Sequence, residues 1–215
     1  MTLIILQIID GDTIDSPLII SLKGKAHDIL ATERLLLNIL SHLSGISTHT
    51  NKIVKIAKEA NPNVEILATR KTLPGLRDHE KEAVVHGGGQ THRMRLDDAI
   101  LIKDNHLKLS NSIKESISLS RIKYPGLMLE VEADNEEQAL EIAECGADRV
   151  MLDNFTPLDA AKTIKKLRQI SNIEIEISGG VTIENVAEYA KNADFISLGS
   201  LTMSSLPVDF SLHVI

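Results

Sequence analysis

Residues 127–153 read LMLEVEADNEEQALEIAECGADRVMLD, and the parsing of this stretch decides the fold. A short run rich in Leu and Val gives way at Asp134 to helical spacing, with Asn135 standing where an N-cap belongs. The helical pattern closes on Gly146, and a second apolar run, RVMLD, follows at once. Strand, helix and strand in this order make a βαβ unit, whose two strands lie parallel.

The same alternation extends in both directions. Strands are expected at VEILATR (64–70), AILIK (99–103), LMLEVEAD (127–134), RVMLD (149–153), IEIEISGG (173–180) and FISLGS (195–200). Between them DHEKEAVVHG, NSIKESISLSRIKY, NEEQALEIAECG, PLDAAKTIKKLRQI and TIENVAEYAKN have helical spacing, with Asn135, Thr156 and Thr182 as N-caps. The fold class is therefore α/β, an incomplete (β/α) barrel of six to seven parallel strands. Upstream, AHDILATERLLLNILSHLSG (26–45) carries apolar residues too densely for one stripe, namely Ile29, Leu30, Leu35, Leu36, Leu37, Ile39, Leu40 and Leu43. This predicts a helix buried on most of its circumference and ending at Gly45. A second helix is expected over ISTHTNKIVKIAKEANP, with Ile53, Val54 and Ile56 inward and the Asn61-Pro62 pair as its stop. The closing run VDFSLHVI alternates and is expected to return to the N-terminal region as an edge strand.

Bulk properties limit the partners. A net charge of −7 and a pI near 5.6 exclude nonspecific binding to nucleic acid or to an anionic membrane, since both need a basic face. Any anion site must be local. The opening MTLIILQIIDGDTIDS lacks a basic flank and a small-residue cleavage site, and no apolar run is long enough for a membrane span, so a cytoplasmic chain is expected. The single cysteine, Cys145, is assigned to packing or capping before Gly146.

The strand ends carry the chemistry. Arg70 and Lys71, Lys103, Glu132, Asp153, Ser178 with Gly179 and Gly180, and Gly199 with Ser200 all fall where strands leave the sheet, the end at which α/β barrels build active sites. Between the first two strands, HGGGQTHRMRL (86–96) adds His92 and Arg93. Arg70, Lys71, His92, Arg93 and Lys103 together suit a dicarboxylate or a polyphosphate, because guanidinium forks pair with carboxylate or phosphate through two parallel hydrogen bonds. Arg77 and Arg95 are expected on the solvated surface. Glu132 and Asp153 are acids among cations and suit sugar hydroxyls or a magnesium ion, which typically takes one or two carboxylates beside substrate phosphates. The turns ISGGVT and SLGSLT suit a phosphate.

With these residues in view, ERLLLNILSHLSGIST, TRKTLPGLRDHEKEAVVHGGG, HRMRL, IKDNH, LEVEAD, VMLDN, ISGGVT and SLGSLT resemble the quinolinate phosphoribosyltransferase family, from about Gly24 to the C-terminus. The resemblance implies that quinolinate and phosphoribosyl pyrophosphate are converted to nicotinate mononucleotide, pyrophosphate and CO2, with Mg²⁺ required. It implies a pocket of Arg70, Lys71, His92, Arg93 and Lys103 for quinolinate and the pyrophosphate donor. It assigns Glu132 and Asp153 to ribose and metal, with Lys71, Lys103, Glu132 and Asp153 catalytic. Ser178, Gly179 and Gly199 match positions that hold the 5′-phosphate. Arg34 corresponds to a residue that enters the neighbouring subunit's site, which implies a homodimer with shared sites, or a higher oligomer. Family members carry a longer N-terminal portion, so residues 1–50 are expected to be part of an α/β sandwich domain, 51–200 the barrel and 201–215 a segment returning to the N-terminal domain. Rival readings are an aldolase-type barrel using Lys103 or Lys71 as a Schiff-base nucleophile, a non-catalytic shortened paralogue, and the molybdenum-transport-associated relative of the family, against which IKDNH argues.

Overall fold

The computed structural model describes residues 2–5 and 9–214. β1 (Thr2–Ile5) and β2 (Ile20–Lys23) form a two-stranded antiparallel sheet, in which Thr2 pairs with Lys23 and Ile5 with Ile20. Next comes α1 (Ala26–Ala60), and then the βα series expected from the sequence. Its elements are β3 (Glu65–Ala68), α2 (Arg77–His86), β4 (Ile100–Ile102), α3 (Asp104–Leu107), α4 (Ile113–Lys123), β5 (Leu129–Ala133), α5 (Glu136–Glu144), β6 (Arg149–Asp153), α6 (Pro157–Ile170), β7 (Glu174–Ser178), α7 (Val186–Ala190), β8 (Phe195–Leu198) and α8 (Ser200–Met203).

Six strands, β3 to β8, form one sheet in the order β3-β8-β7-β6-β5-β4, and every pairing is parallel. The sheet does not close. Between β3 and β4 a single parallel bridge joins Leu67 to Gln90, with Ala68 N–H donating to Gln90 O and Gln90 N–H to Ile66 O, each at 2.8 Å. Strand period sorts the side chains. Val131, Val150, Leu152, Ile175, Ile177 and Ile196 are fully buried with Ile142, Ile164 and Leu167 of the helices in one apolar core. The alternate positions, Glu130, Glu132, Arg149, Glu176 and Ser197, are buried and polar.

Three local expectations are corrected. α1 does not stop at Gly45 but runs unbroken for 35 residues, through the boundary expected at 50/51. Gly45 is needed for contact rather than termination. A Cβ there would lie 2.3 Å from Leu206 O, because the segment after α8 crosses the helix at this point and Val208 N–H donates to Ser41 O at 3.0 Å. That segment has no strand within 208–214; it contacts α1 as extended chain. Finally, Asn135 and Thr156 cap their helices by accepting from Gln138 and Asp159 N–H, but Thr182 does not. A turn intervenes, Asn185 Oδ1 accepts from Thr182 N–H at 2.7 Å, and α7 begins only at Val186.

The N-terminal half of α1 is not buried on most of its circumference within this chain. Leu30, Leu35, Leu36 and Ile39 are exposed, and Leu37 is the buried one of that group.

Gly45→Ala is expected to lower stability by about 1–2 kcal/mol, because the clash with Leu206 exceeds the roughly 1 kcal/mol gained by alanine in a helix. In a chain ending at Ser205 the same substitution is expected to stabilise. Urea denaturation of the four proteins checks both signs, and a stabilising effect in the full chain would remove the packing role assigned to Gly45.

Candidate active site

At the carboxyl ends of the strands lies a cavity of about 670 Å³. Its walls include Arg70, Lys71, His92, Arg93, Lys103, Asp153, Ser178, Gly179 and Gly199. A smaller depression of about 450 Å³ lies beside α5, lined by Leu107, Ser110, Asn135, Glu137 and Glu141; it holds no cation. The site is placed in the former because the charged strand ends converge there. Glu132 adjoins it indirectly: its Oε2 is buried and paired with Lys103 Nζ, and the residue is not in the cavity wall. Arg34 lies on exposed α1 and does not enter this chain's own cavity.

The floor is ionic. Arg149 of β6 donates from Nε and Nη2 to Glu174 at 3.0 and 2.8 Å and from Nη1 to Glu176 at 3.3 Å, while its guanidinium covers the Phe195 ring. Above it His92 Nε2 lies 3.0 Å from Glu130 Oε2 and 3.2 Å from Glu176 Oε2. These three groups bring ligand-type atoms within 4.8 Å of one another, but their charges are already met by the imidazole and by Arg149. Burial alone would lower the His92 pKa; the hydrogen bonds and charges of Glu130 and Glu176 outweigh it and raise the value to about 9. Burial and the neighbouring Glu176 carboxylate push Glu130 up to about 7. Glu176 is the carboxylate held below its ordinary value against its own burial, chiefly by His92. At neutral pH the set thus retains one proton beyond ionised carboxylates and a neutral ring, shared between His92 and Glu130.

The mouth is different, because its cations outnumber its anions. Arg70 Nε is buried without a hydrogen-bond partner. Burial, then Arg77, Arg70 and Arg93, push the Lys81 pKa down to about 8 against the weaker pull of Asp98. Burial and Arg70 likewise lower Arg93. Cations that repel one another in a half-dry pocket define an anion site.

Two side chains of α2 that the sequence analysis did not single out hold the mouth together. Glu80, fully buried, accepts from Leu73 N–H at 3.2 Å and meets His42 Nε2 at 2.7 Å, tying the Arg70–Lys71 loop to α1. Lys81, also fully buried, donates to Thr91 O and Arg93 O at 2.5 and 2.6 Å. Their signal was spacing. Arg77, Glu80, Lys81 and Val84 occupy the i, i+3, i+4, i+7 stripe that a packed helix turns inward. Arg77 is corrected with them: half-buried, it donates to Thr72 Oγ1 at 3.2 Å and Met94 O at 3.4 Å, whereas Arg95 is exposed as expected. Thr202 of α8 donates to Lys71 O at 2.5 Å.

On the far wall Gly179 and Gly180 have φ of 77° and 66°. At Gly179 a Cβ would fall 2.2 Å from Asn154 Oδ1, so the turn passes against the Asp153–Asn154 corner only as glycine. The run of three glycines serves packing too: a Cβ at Gly87 would lie 2.6 Å from Ser47 O, which seats the end of α2 on α1.

Residues 46–213 match the model for the quinolinate phosphoribosyl transferase C-terminal domain. The chain belongs to this family. It is 45% identical over 211 residues to a probable carboxylating nicotinate-nucleotide pyrophosphorylase of Archaeoglobus fulgidus, covering 96% of this chain and 81% of that protein. With the like-named protein of Methanocaldococcus jannaschii identity is 47% over 204 residues, 92% and 72% of the two chains. The crystal structure of NadC from Streptococcus pyogenes superposes with a TM-score of 0.89 at 36% identity, over 98% of this chain and 74% of that one. The family's α/β barrel is therefore the frame of the unclosed sheet described above.

Glu176→Gln removes one of the two carboxylates that hold the His92 proton, so the His92 pKa is expected to fall from about 9 toward the ordinary value near 6.5. In the unsubstituted protein a raised pKa contributes stability that is complete below about 6.5 and lost as pH rises through about 9. The variant is expected to lose that slope. Histidine NMR titration together with denaturation at pH 6, 8 and 10 reads both effects; an unmoved His92 titration contradicts the pairing.

Proposed function

We propose that this chain is a quinolinate phosphoribosyltransferase acting in NAD biosynthesis. It joins quinolinate to phosphoribosyl pyrophosphate and releases pyrophosphate and CO2 to give nicotinate mononucleotide. The name its relatives carry, carboxylating pyrophosphorylase, describes the same reaction from the nucleotide side. The observation that carries the reading is the cationic mouth, with Arg70 Nε buried and lacking a partner, in a member of this family.

Arg70 and Arg93 hold the two carboxylates of quinolinate through charge-assisted hydrogen bonds that fix the ring nitrogen toward the ribose, and His92, whose ring nitrogens are both engaged, forms the wall beside them. Lys71 and Lys103 meet the pyrophosphate. Ser178, Gly179 and Gly199, on the opposite wall, take the 5′-phosphate. Departure of pyrophosphate develops positive charge on the ribose, which Asp153 and Glu132 stabilise. Ribosylation makes the ring nitrogen cationic and so stabilises the electron pair left on the adjacent carbon as CO2 departs; that carbon then takes a proton from water, and decarboxylation follows transfer. Mg²⁺ fits the donor set. Asp153 faces the cavity, Glu132 lies behind Lys103, and Mg²⁺ is commonly held by one or two carboxylates beside substrate phosphates. Bound there, the ion would neutralise charge on the leaving pyrophosphate.

The exposed apolar residues of α1, Leu30, Leu35, Leu36 and Ile39, support a homodimer packed through this helix, which would carry Arg34 toward the partner's cavity. Among the described residues no helix is long and apolar enough to cross a membrane. The reaction's setting is proposed to be the cytoplasm.

With Mg²⁺ and phosphoribosyl pyrophosphate, kcat/KM for quinolinate is expected to exceed that for nicotinate by at least about 10- to 100-fold, the worth of one carboxylate's charged hydrogen bonds. Nicotinate as the better substrate would overturn the assignment. Arg34→Ala and Lys103→Ala are each expected to be inactive yet folded. Mixing them is expected to recover about a quarter of full activity, since half of randomly formed dimers are hybrids with one intact site; no recovery despite subunit exchange removes the shared site.

A further inference from the structure

We propose that Lys81 is a positioning residue for the substrate's carboxylates, acting by clamping the Thr91–Arg93 turn; the inference rests on the functional reading above. His92 is in the left-handed region with φ 51°, a conformation that costs free energy in any residue with a Cβ. Strain of this kind persists only where the surroundings impose it. The peptide carbonyls on either side of His92, Thr91 O and Arg93 O, both turn onto one ammonium, Lys81 Nζ. That convergence defines the turn and sends the His92 and Arg93 side chains into the cavity wall.

Stability alone does not account for a lysine here. Its side chain is fully buried beside Arg70, Arg77 and Arg93, its hydrogen-bond partners are carbonyls, and the facing acid, Asp98, accepts from Met94 and Arg95 N–H instead. An apolar chain would fill the same space without that repulsion. What only a cation with several donors supplies is the simultaneous hold on two carbonyls. Lys71, Lys103, Asp153 and the glycine turns are held by other elements, so the clamp bears on one substrate and not on the other.

The test is a cycle of Lys81→Met, His92→Gly and the double variant. Glycine occupies the left-handed region freely, so at position 92 it removes the strain the clamp opposes. Lys81→Met is expected to raise the quinolinate KM at least about tenfold while KM for phosphoribosyl pyrophosphate stays within about threefold, a split set by lost orientation of one substrate. With glycine at 92, adding Lys81→Met is expected to raise the quinolinate KM less than about threefold. Equal factors in both backgrounds, or equal effects on both substrates, overturn the clamp. If Lys81→Met alone does not fold, Lys81→Gln takes its place, with the same expected split between the two substrates and the same overturning results. If the unsubstituted chain neither binds nor converts quinolinate, the functional reading fails on its own. The clamp is then decided by the thermal midpoints, where Lys81→Met lowers the midpoint less with glycine at 92 if it is right and equally in both backgrounds if it is wrong.

Discussion

Charge pairing inside the barrel is the constraint from which the rest follows. Arg149, Glu176 and Glu130 occupy the face of the sheet that a small barrel ordinarily fills with branched apolar side chains, with His92 set against the two carboxylates from the loop before β4 and the exposed Glu174 meeting Arg149 at the edge. Each charge removed from water costs several kcal/mol unless it is met by a partner, so the strands must keep the register that sets Arg149 beside Glu174 and Met151 beside Glu176. A slip of one residue would turn these charges into the apolar layer beneath the helices. The apolar layer packs the fold, and the ionic layer fixes its register. The contrast between floor and mouth then locates the ligand. On the floor every cation has its carboxylate; at the mouth Arg70, Arg77, Lys81 and Arg93 crowd together with only a partial offset from Glu130 and Asp98, which suits an anionic ligand.

Much of this was legible in the sequence, because strand period and helix period write different patterns. RVMLD and PLDAAKTIKKLRQI are strand and helix over the residues expected, and the polar strand ends other than Glu132 line one cavity. The failures share a cause: each concerns a residue whose role is set by a distant contact. Gly45 has the local marks of a helix stop, yet the helix continues and the missing side chain makes room for Leu206. Thr182 has the local marks of a cap, yet its own N–H is taken by Asn185 and the helix begins a turn later. Glu80 and Lys81 have the composition of a wet surface and sit in its driest part. Composition assigns charged residues to solvent because most of them lie there; the exceptions are those that hold backbone groups, and only the fold shows which backbone.

The exposed leucines of α1 belong to the same lesson. Their density was read as burial, and within one chain they are open to solvent. Apolar density marks a surface that is costly to leave wet and does not by itself place it in this chain's core.

The open seam of the sheet is itself part of the site. Were β3 and β4 joined by direct pairing, no room would remain between them for the chain from Gln90 to Ala99. That chain instead bridges the seam, pairing with β3 through Gln90 and with the start of β4 through the Arg93 guanidinium, which donates to Ala99 O at 3.3 Å. The segment supplies His92 to the ionic floor and Arg93 to the cationic mouth, so it links the two charge layers at the one place where the ladder is interrupted. A strand here would alternate its side chains strictly in and out. A turn with a left-handed residue aims two consecutive side chains into the same cavity, the arrangement needed to meet two carboxylates held on neighbouring ring atoms. Backbone groups freed by the interrupted ladder need other partners, and the ammonium of Lys81 supplies one to each carbonyl flanking His92. The gap, the strained histidine and the buried lysine are therefore one structural solution: the sheet gives up strand pairings at the seam, and the released chain becomes part of the cavity wall.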